Sequence, residues 1–394
     1  MNRVGYSMRI VYWFLYALEV TAFLFATACD TYESGPAGMW NYGYAIRGYD
    51  IGYSVQETSD NGFVVTGGTS PSVTGDPDIF VLKTYDDGAP MWTEVYGGDG
   101  WDIGTCVQET NDGCYFVLGI TESFGLGTPG APDIYLLKVS ADGDTVWTRT
   151  YGGAGDEAAY SLLRTPGGSF VVIGLQSGSG AFVFEIDMEG NVLWTRTYGG
   201  NGLFNGHCTS DGGYIFVGTK AESLGTKNDI LLVKTNWNGD SAWTTTIGTE
   251  YEDFGSAITE TANGGYVVVG HYRDEGQCYL YVVGTDTQGN QIWEESYHIR
   301  TGTGCYVENA GGEEYILAGS AGWNPSSCLG PGPFLMKVDR TGNIIWVENY
   351  KEEGSYVCNS AQRVSDGGFM LVGYTEISDT IAHVYLLRTQ PYTD

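Results

Sequence analysis

Basic residues are scarce in this sequence. Its 394 residues hold 18 Lys+Arg against 48 Asp+Glu, a net charge of −30. Phosphate-backbone binding draws its affinity from clustered Lys and Arg, so nucleic acid is not an expected partner. Charged residues of both signs make up only 17% of the chain. Chemical signatures are missing as well. There is no Asp-x-Asp-x-Asp-Gly calcium loop, although the many carboxylates would suit an oxygen-only ion such as calcium. No two cysteines are adjacent, and His207, His271, His298 and His383 have neither metal-ligand spacing nor a nucleophile motif beside them. A sialidase-type Asp box needs Asp two residues before Gly, whereas Asp142 and Gly143 are neighbours. No cofactor and no metal are therefore expected.

What is abundant is glycine, at 60 residues, and aromatic side chains, at 14%. That combination fits many short strands joined by tight turns. One pattern recurs along the chain: an Ala/Ser-Val-x-x-Thr strand (A), an Asp-Gly-Gly-type turn, an aromatic-aliphatic strand ending in Gly (B), a variable loop, an Asp-Ile-Tyr-Leu-Leu-Lys strand (C), an Asp-Gly turn, and a strand containing Trp (D). The glycine ending strand B recurs seven times, at Gly67, Gly119, Gly174, Gly218, Gly270, Gly319 and Gly373. The strand D tryptophans are Trp92, Trp147, Trp194, Trp243, Trp293 and Trp346, and the seventh is Trp40, ahead of the first complete unit.

Four short antiparallel strands per repeat of about 50 residues is the pattern of a β-propeller blade. The expected fold is all-β: a seven-bladed β-propeller of four-stranded antiparallel blades. The last repeat ends without a Trp strand, so the segment 38–48 is expected to fill that place, closing the ring and covering two exposed sheet edges. Strands B and C should lie mid-sheet as continuous apolar runs.

The A-to-B turns (Asp60-Asn61-Gly62, Asp211-Gly212-Gly213) and C-to-D turns (Asp87-Gly88, Asp142-Gly143) carry residues suited to positive φ. The other face carries B-to-C loops and D-to-A connections that vary in length: 121–132, 220–228 and 321–333 are long, and 176–180 is short. Binding usually lives on such loops. Tyr-Gly-Gly before strand A (96–98, 151–153, 198–200), the Asp-Gly-Gly turn and Asp-Ile-Tyr-Leu-Leu-Lys followed by Asp-Gly and Trp together resemble the seven-bladed β-propeller repeat proteins exported by bacteria. The resemblance covers 38–394 and implies export and interaction, with no shared catalytic residues to carry over.

The N-terminus agrees with export. Arg3 and Arg9 precede a mostly apolar run, 10–28, that is interrupted by Glu19 and ends Ala26-Thr27-Ala28-Cys29. This resembles the bacterial lipobox, with Ala26 in place of the usual Leu. The expected organisation is an export signal at 1–28, lipidation of Cys29, a tether at 29–37 reaching at most ~30 Å, and a single propeller domain over 38–394. Cleavage without lipid and retention as a single membrane span are the alternatives.

Candidate site residues follow from departures from the repeat. The seven repeated tryptophans are expected to pack between sheets, whereas Trp101 and Trp323 break the pattern in loops of the variable face and are candidates for ligand contact. Asp102, Asp156 and Asp253 accompany them among the acids of the D-to-A connections; Asp78, Asp133 and Asp229 begin strand C in register and suggest loop capping. Lys83, Lys138, Lys234, Lys337 and Arg388 share one position in strand C. Because Glu57 and Glu109 become Arg164 where Lys becomes Glu185, an ion pair from strand A to strand C over strand B is expected. Cys305, Cys328 and Cys358 map to the last two repeats, so a disulfide from Cys328 to either partner is expected. The functional expectation is a lipid-anchored or secreted monomer of the cell envelope. It would bind a protein or glycan through the variable face, or, alternatively, act as a carbohydrate-active hydrolase or lyase using that face's acids.

Overall fold

A computed structural model of the chain describes residues 39–221, 227–300, 303–322, 332–350 and 355–391. The expected export signal, Cys29 and the expected tether lie outside these residues. All 28 elements are β-strands, and among the described residues no helix is long and apolar enough to cross a membrane.

The strands form five separate four-stranded sheets and one eight-stranded sheet. Repeat 2 shows the plan: strands Asp102–Glu109, Tyr115–Thr121, Asp133–Val139 and Thr145–Tyr151 pair antiparallel in chain order. In the eight-stranded sheet a single parallel bridge, Tyr49 to Ala382, joins repeat 1 to repeat 7. Repeat 7 contributes Ser355–Arg363, Phe369–Ser378 and Ile381–Arg388, and its fourth strand is Trp40–Tyr44, antiparallel to Ile381–Arg388 in the register Trp40 to Arg388.

The middle strands are buried throughout, as for Phe63–Ser70, Tyr115–Thr121 and Asp133–Val139, because a neighbouring sheet covers each face. Strand D, in contrast, alternates exposed and half-buried residues at the outer edge. Among the described residues the core consists of seven clusters, each drawn from two adjoining repeats. One of them unites the chain's two ends: Val55, Phe63 and Phe80 of repeat 1 pack with Met370, Val384 and Leu386 of repeat 7 and with Trp40. Burying side chains of this size contributes about 2 kcal/mol each.

Two glycine positions explain why the repeat is so regular. Strand A shifts register by one residue in every repeat, for example between Gly52 and Ser54 or Gly104 and Cys106. This bulge pushes a carbonyl toward strand B, where a Cβ at Gly67 or Gly373 would stand 1.9 or 1.7 Å from that oxygen. The C-to-D turn glycines are required twice over: Gly88, Gly143, Gly190 and Gly239 have φ between 75° and 92°, and a Cβ on any of them would strike the strand D tryptophan of the preceding repeat at 2.6–3.2 Å. The tryptophans thus pack between repeats, as expected.

A tyrosine four residues after the tryptophan seals the same junction. Tyr96, Tyr151 and Tyr198 donate their hydroxyls to the carbonyls of Gly143, Gly190 and Gly239 at 2.6–2.7 Å. Tyr44, from the N-terminal strand, makes the identical bond to Gly88 of repeat 1 at 2.7 Å.

Candidate functional site

The strand ends that carry the connections hold most of the acids singled out from sequence. Asp50, Asp102, Glu157 and Asp253 are buried at the start of strand A, and each accepts the backbone N–H four residues before it, from Ile46, Gly98, Gly153 and Thr249 respectively. They shape the D-to-A connections from beneath. Strand C acids of the preceding repeat meet them there. Asp133 accepts N–H groups from both Leu126 and Gly153, and burial followed by its proximity pushes the Glu157 carboxyl up. Burial, with a further push from Asp229, raises Asp253 to about 6. Such shifts mark functional carboxyls when substrate can reach them; here the groups are sealed.

Trp101 is half-buried on the same face and its carbonyl accepts the Glu122 N–H at 2.8 Å. Asp156 is half-buried too, its carbonyl accepting the Ser177 N–H. Trp323, Cys328 and Cys29 lie outside the described residues.

Sequence reading missed what stands beside Trp101. The 121–132 loop holds Phe124 and Leu126 out at 41% and 63% exposure. Four contacts fix them there. Thr121 Oγ1 accepts the Phe124 N–H at 3.0 Å, Asp133 Oδ2 accepts the Leu126 N–H at 2.5 Å, Thr150 Oγ1 donates to the Phe124 carbonyl at 3.0 Å, and the Phe124 ring stacks on Tyr135 with centroids 5.1 Å apart.

The opposite strand ends, with their tight turns, differ from expectation. The strand C cations do not cross strand B to strand A. Lys83, Lys138, Lys234 and Arg388 run along their strands to the A-to-B turn acids Asp60, Asp112, Asp211 and Asp366, at 2.6–2.9 Å. The strand A glutamates instead bond the turn serine of the preceding repeat: Glu109 to Ser59, Glu260 to Ser210, and Glu57 to Ser365. The exchanged pair is likewise apart, since Arg164 donates to Asn111 while Glu185 accepts from Ser169 and Trp194. The reason is reach: a lysine lying along its own strand arrives at a turn carboxylate without spanning two inter-strand spacings of about 4.8 Å.

On this same side, between repeats 5 and 6, lies a cleft of about 530 Å³ bounded by Tyr266, Gly284, Trp293, Tyr315, Asn263 and Glu313. A smaller hollow of about 370 Å³ lies between repeats 4 and 5. Cys305 and Cys358 are free thiols with sulfurs 3.6 Å apart across repeats 6 and 7. His271 stacks on Phe254, and burial with Arg273 nearby pushes it down to about 4. Among the described residues no three His, Cys, Asp or Glu side chains gather as a metal site.

No family model and no curated protein matches the sequence. Solved structures do resemble the fold. The WD40 β-propeller domain of Doa1 aligns with a TM-score of 0.54 at 10% identity, covering 92% of this chain and 96% of that one. The Pan2 WD40 domain of Neurospora crassa gives 0.54 at 12%, covering 88% and 91%. Sqt1 of Chaetomium thermophilum gives 0.51 at 12%, covering 86% and 96%. At such identities the likeness is one of architecture, and it establishes that this chain is a β-propeller.

Proposed function

We propose that the chain is a binding or scaffold module of the cell envelope, exported, lipid-anchored through Cys29, and built as a seven-bladed ring that the Trp40–Tyr44 strand closes. Its partner is a protein, gripped on the face that carries the B-to-C loops. The observation that carries this reading is the fixed presentation of Phe124 and Leu126: two exposed apolar side chains on a loop bonded at both ends form a preorganised anchor, which avoids the ordering cost of binding. Trp101 and Asp156 extend the surface, while Asp102 and Asp253 support it from below. The seven-blade ring is supported by the Tyr44 bond to Gly88 and by the cluster shared between the first and last repeats. The hydrolase or lyase alternative requires two reachable carboxyls; Glu157 and Asp253 are buried, and Glu122, half-exposed and raised chiefly by burial, has no second perturbed carboxyl that solvent reaches beside it among the described residues.

The test is crosslinking in intact cells followed by capture. The Phe124→Asp/Leu126→Asp protein should lose a partner that wild type captures, whereas Trp237→Asp, on an exposed turn of the opposite face, should keep it. Cys29→Ser in the same assay separates membrane retention from binding. Equal capture by the first two variants at equal melting temperature would sink the assignment of the face.

A further inference from the structure

The pairing of a strand C cation with an A-to-B turn acid fails in blade 5, and it fails at both ends. Register places Lys83 opposite Trp92, Lys234 opposite Trp243 and, in blade 5, Gly284 opposite Trp293. The turn position that is Asp60 or Asp211 elsewhere is Asn263. Blade 3, which also lacks the lysine, fills the place with Glu185, and blade 6 pairs Lys337 with Glu314 at 2.7 Å.

What remains in blade 5 is the rest of an ammonium site. In blades 1 and 4 the lysine also donates to the carbonyl of the following residue, Thr84 or Thr235, at 3.0 Å. A Cβ on the facing glycine, Gly62 or Gly213, would stand 2.5 or 2.8 Å from that nitrogen. Blade 5 keeps the glycine and the carbonyl, with a Cβ at Gly265 falling 2.2 Å from Thr285 O, but its own strand C, Gln277–Thr285, carries no lysine to reach them. The Trp293 indole has settled over Gly284, its Nε1 2.0 Å from where a Cβ would be. The cleft of about 530 Å³ opens at this place.

Its chemistry suits a cation. Asn263 turns its amide nitrogen to Glu313 Oε1 at 2.7 Å, which leaves its carbonyl oxygen as an acceptor. Arg340, 71% exposed at the rim, is engaged with Glu313 Oε2 at 3.2 Å. Trp293 and its tyrosine neighbours supply π faces for an alkyl-ammonium, and a chain of net charge −30 draws cations toward it.

We propose that the cleft between blades 5 and 6 binds a protonated primary amine on an alkyl stem, of the kind carried by a lysine side chain or a free diamine, in the seat that the protein's own lysine takes in other blades. This site is at the far end of the strands from the 121–132 loop, so it stands or falls independently of the partner surface. Isothermal titration of the mature protein with N-acetyl-lysine-N-methylamide and with cadaverine should give saturable binding, and the Nζ-acetylated lysine derivative should give none. Asn263→Leu, which adds nothing beside Trp293, should weaken the amines about tenfold, the worth of one charge-assisted hydrogen bond. Gly284→Lys combined with Asn263→Asp should refill the seat and abolish binding. Tighter binding of the lysine derivative assigns the seat to a partner's side chain, and tighter binding of cadaverine assigns it to a free diamine. Absence of saturation with either amine, equal binding of the acetylated compound, or unchanged affinity in Asn263→Leu would overturn the proposal.

Discussion

The two ends of the Lys234–Asp211 pair sit in different surroundings: the lysine side chain is 8% exposed and the aspartate 63%. Burial opposes the aspartate's charge, but hydrogen bonds from Thr209 and Lys234 outweigh it and hold the carboxyl at about 2. Removing one partner therefore differs from removing the other. Asp211→Ala strands a buried ammonium with Thr235 O as its remaining acceptor, while Lys234→Met leaves a carboxylate in water. Urea denaturation should show a loss of about 2–3 kcal/mol for the first and about 1 kcal/mol for the second. Equal losses would mean that the lysine head is better hydrated than its surroundings imply. This pair also shows what sequence could and could not convey. The repetition of Lys83, Lys138 and Lys234 correctly marked a structural position, and the exchange of Arg164 with Glu185 suggested the wrong partner. Charge identity along a chain carries no information about whether a long side chain lies across its sheet or along its strand.

Among the elements, two of the D-to-A connections rest on acids, Glu157 and Asp253, that burial makes hard to ionise. Asp253 has an ordinary value of 3.8 and is raised to about 6 in the fold, by burial first and by Asp229 after that. Between those values the folded protein holds a proton that the unfolded chain releases. This group therefore favours the fold at acid pH, and its contribution fades as pH rises through about 6. Asp253→Asn, neutral throughout, removes the dependence. Denaturation midpoints measured at several pH values should show wild type losing ground to the variant from about pH 4 to 6 and running parallel to it above about pH 7. Curves parallel over the whole range would mean that the carboxyl ionises freely. The in-register Asp78, Asp133 and Asp229 did suggest loop capping from sequence. The pairing of Asp133 with Glu157 did not, because it arises only when neighbouring sheets converge. Phe124 and Leu126 went unnoticed for a related reason: an apolar pair within a loop looks the same in sequence whether it is tucked in or held out.

For the whole molecule, the repeats made the architecture readable before any coordinates. Every unit shows its strand B glycine, turn and tryptophan, and a bulge, a positive φ and an indole each explain one of them. The cleft between blades 5 and 6 was equally present in the sequence, in the paired departures Gly284 and Asn263, but two absences attract attention only when their partners are known to touch. The N-terminal strand is the feature on which the proposed ring depends. Tyr44→Phe should cost about 1 kcal/mol, the same as Tyr151→Phe, because both hydroxyls make the same bond between blades. Removal of residues 38–48 should raise hydrogen exchange in 355–388 before any other segment, and uniform protection would refute the clasp.

That strand also sets an order of events. The first strand of the domain to be made pairs with the last, so every intermediate chain length leaves Trp40–Tyr44 without its sheet, and Ile381–Arg388, once made, lacks its outer cover until the two meet. Contacts of such sequence separation form slowly, and open strand edges invite pairing with other chains in the interval. A growing chain can complete its other sheets and still be kinetically unfinished until this pair of strands forms. The exposure ends only when Ile381–Arg388 has been made and Trp40–Tyr44 has found it.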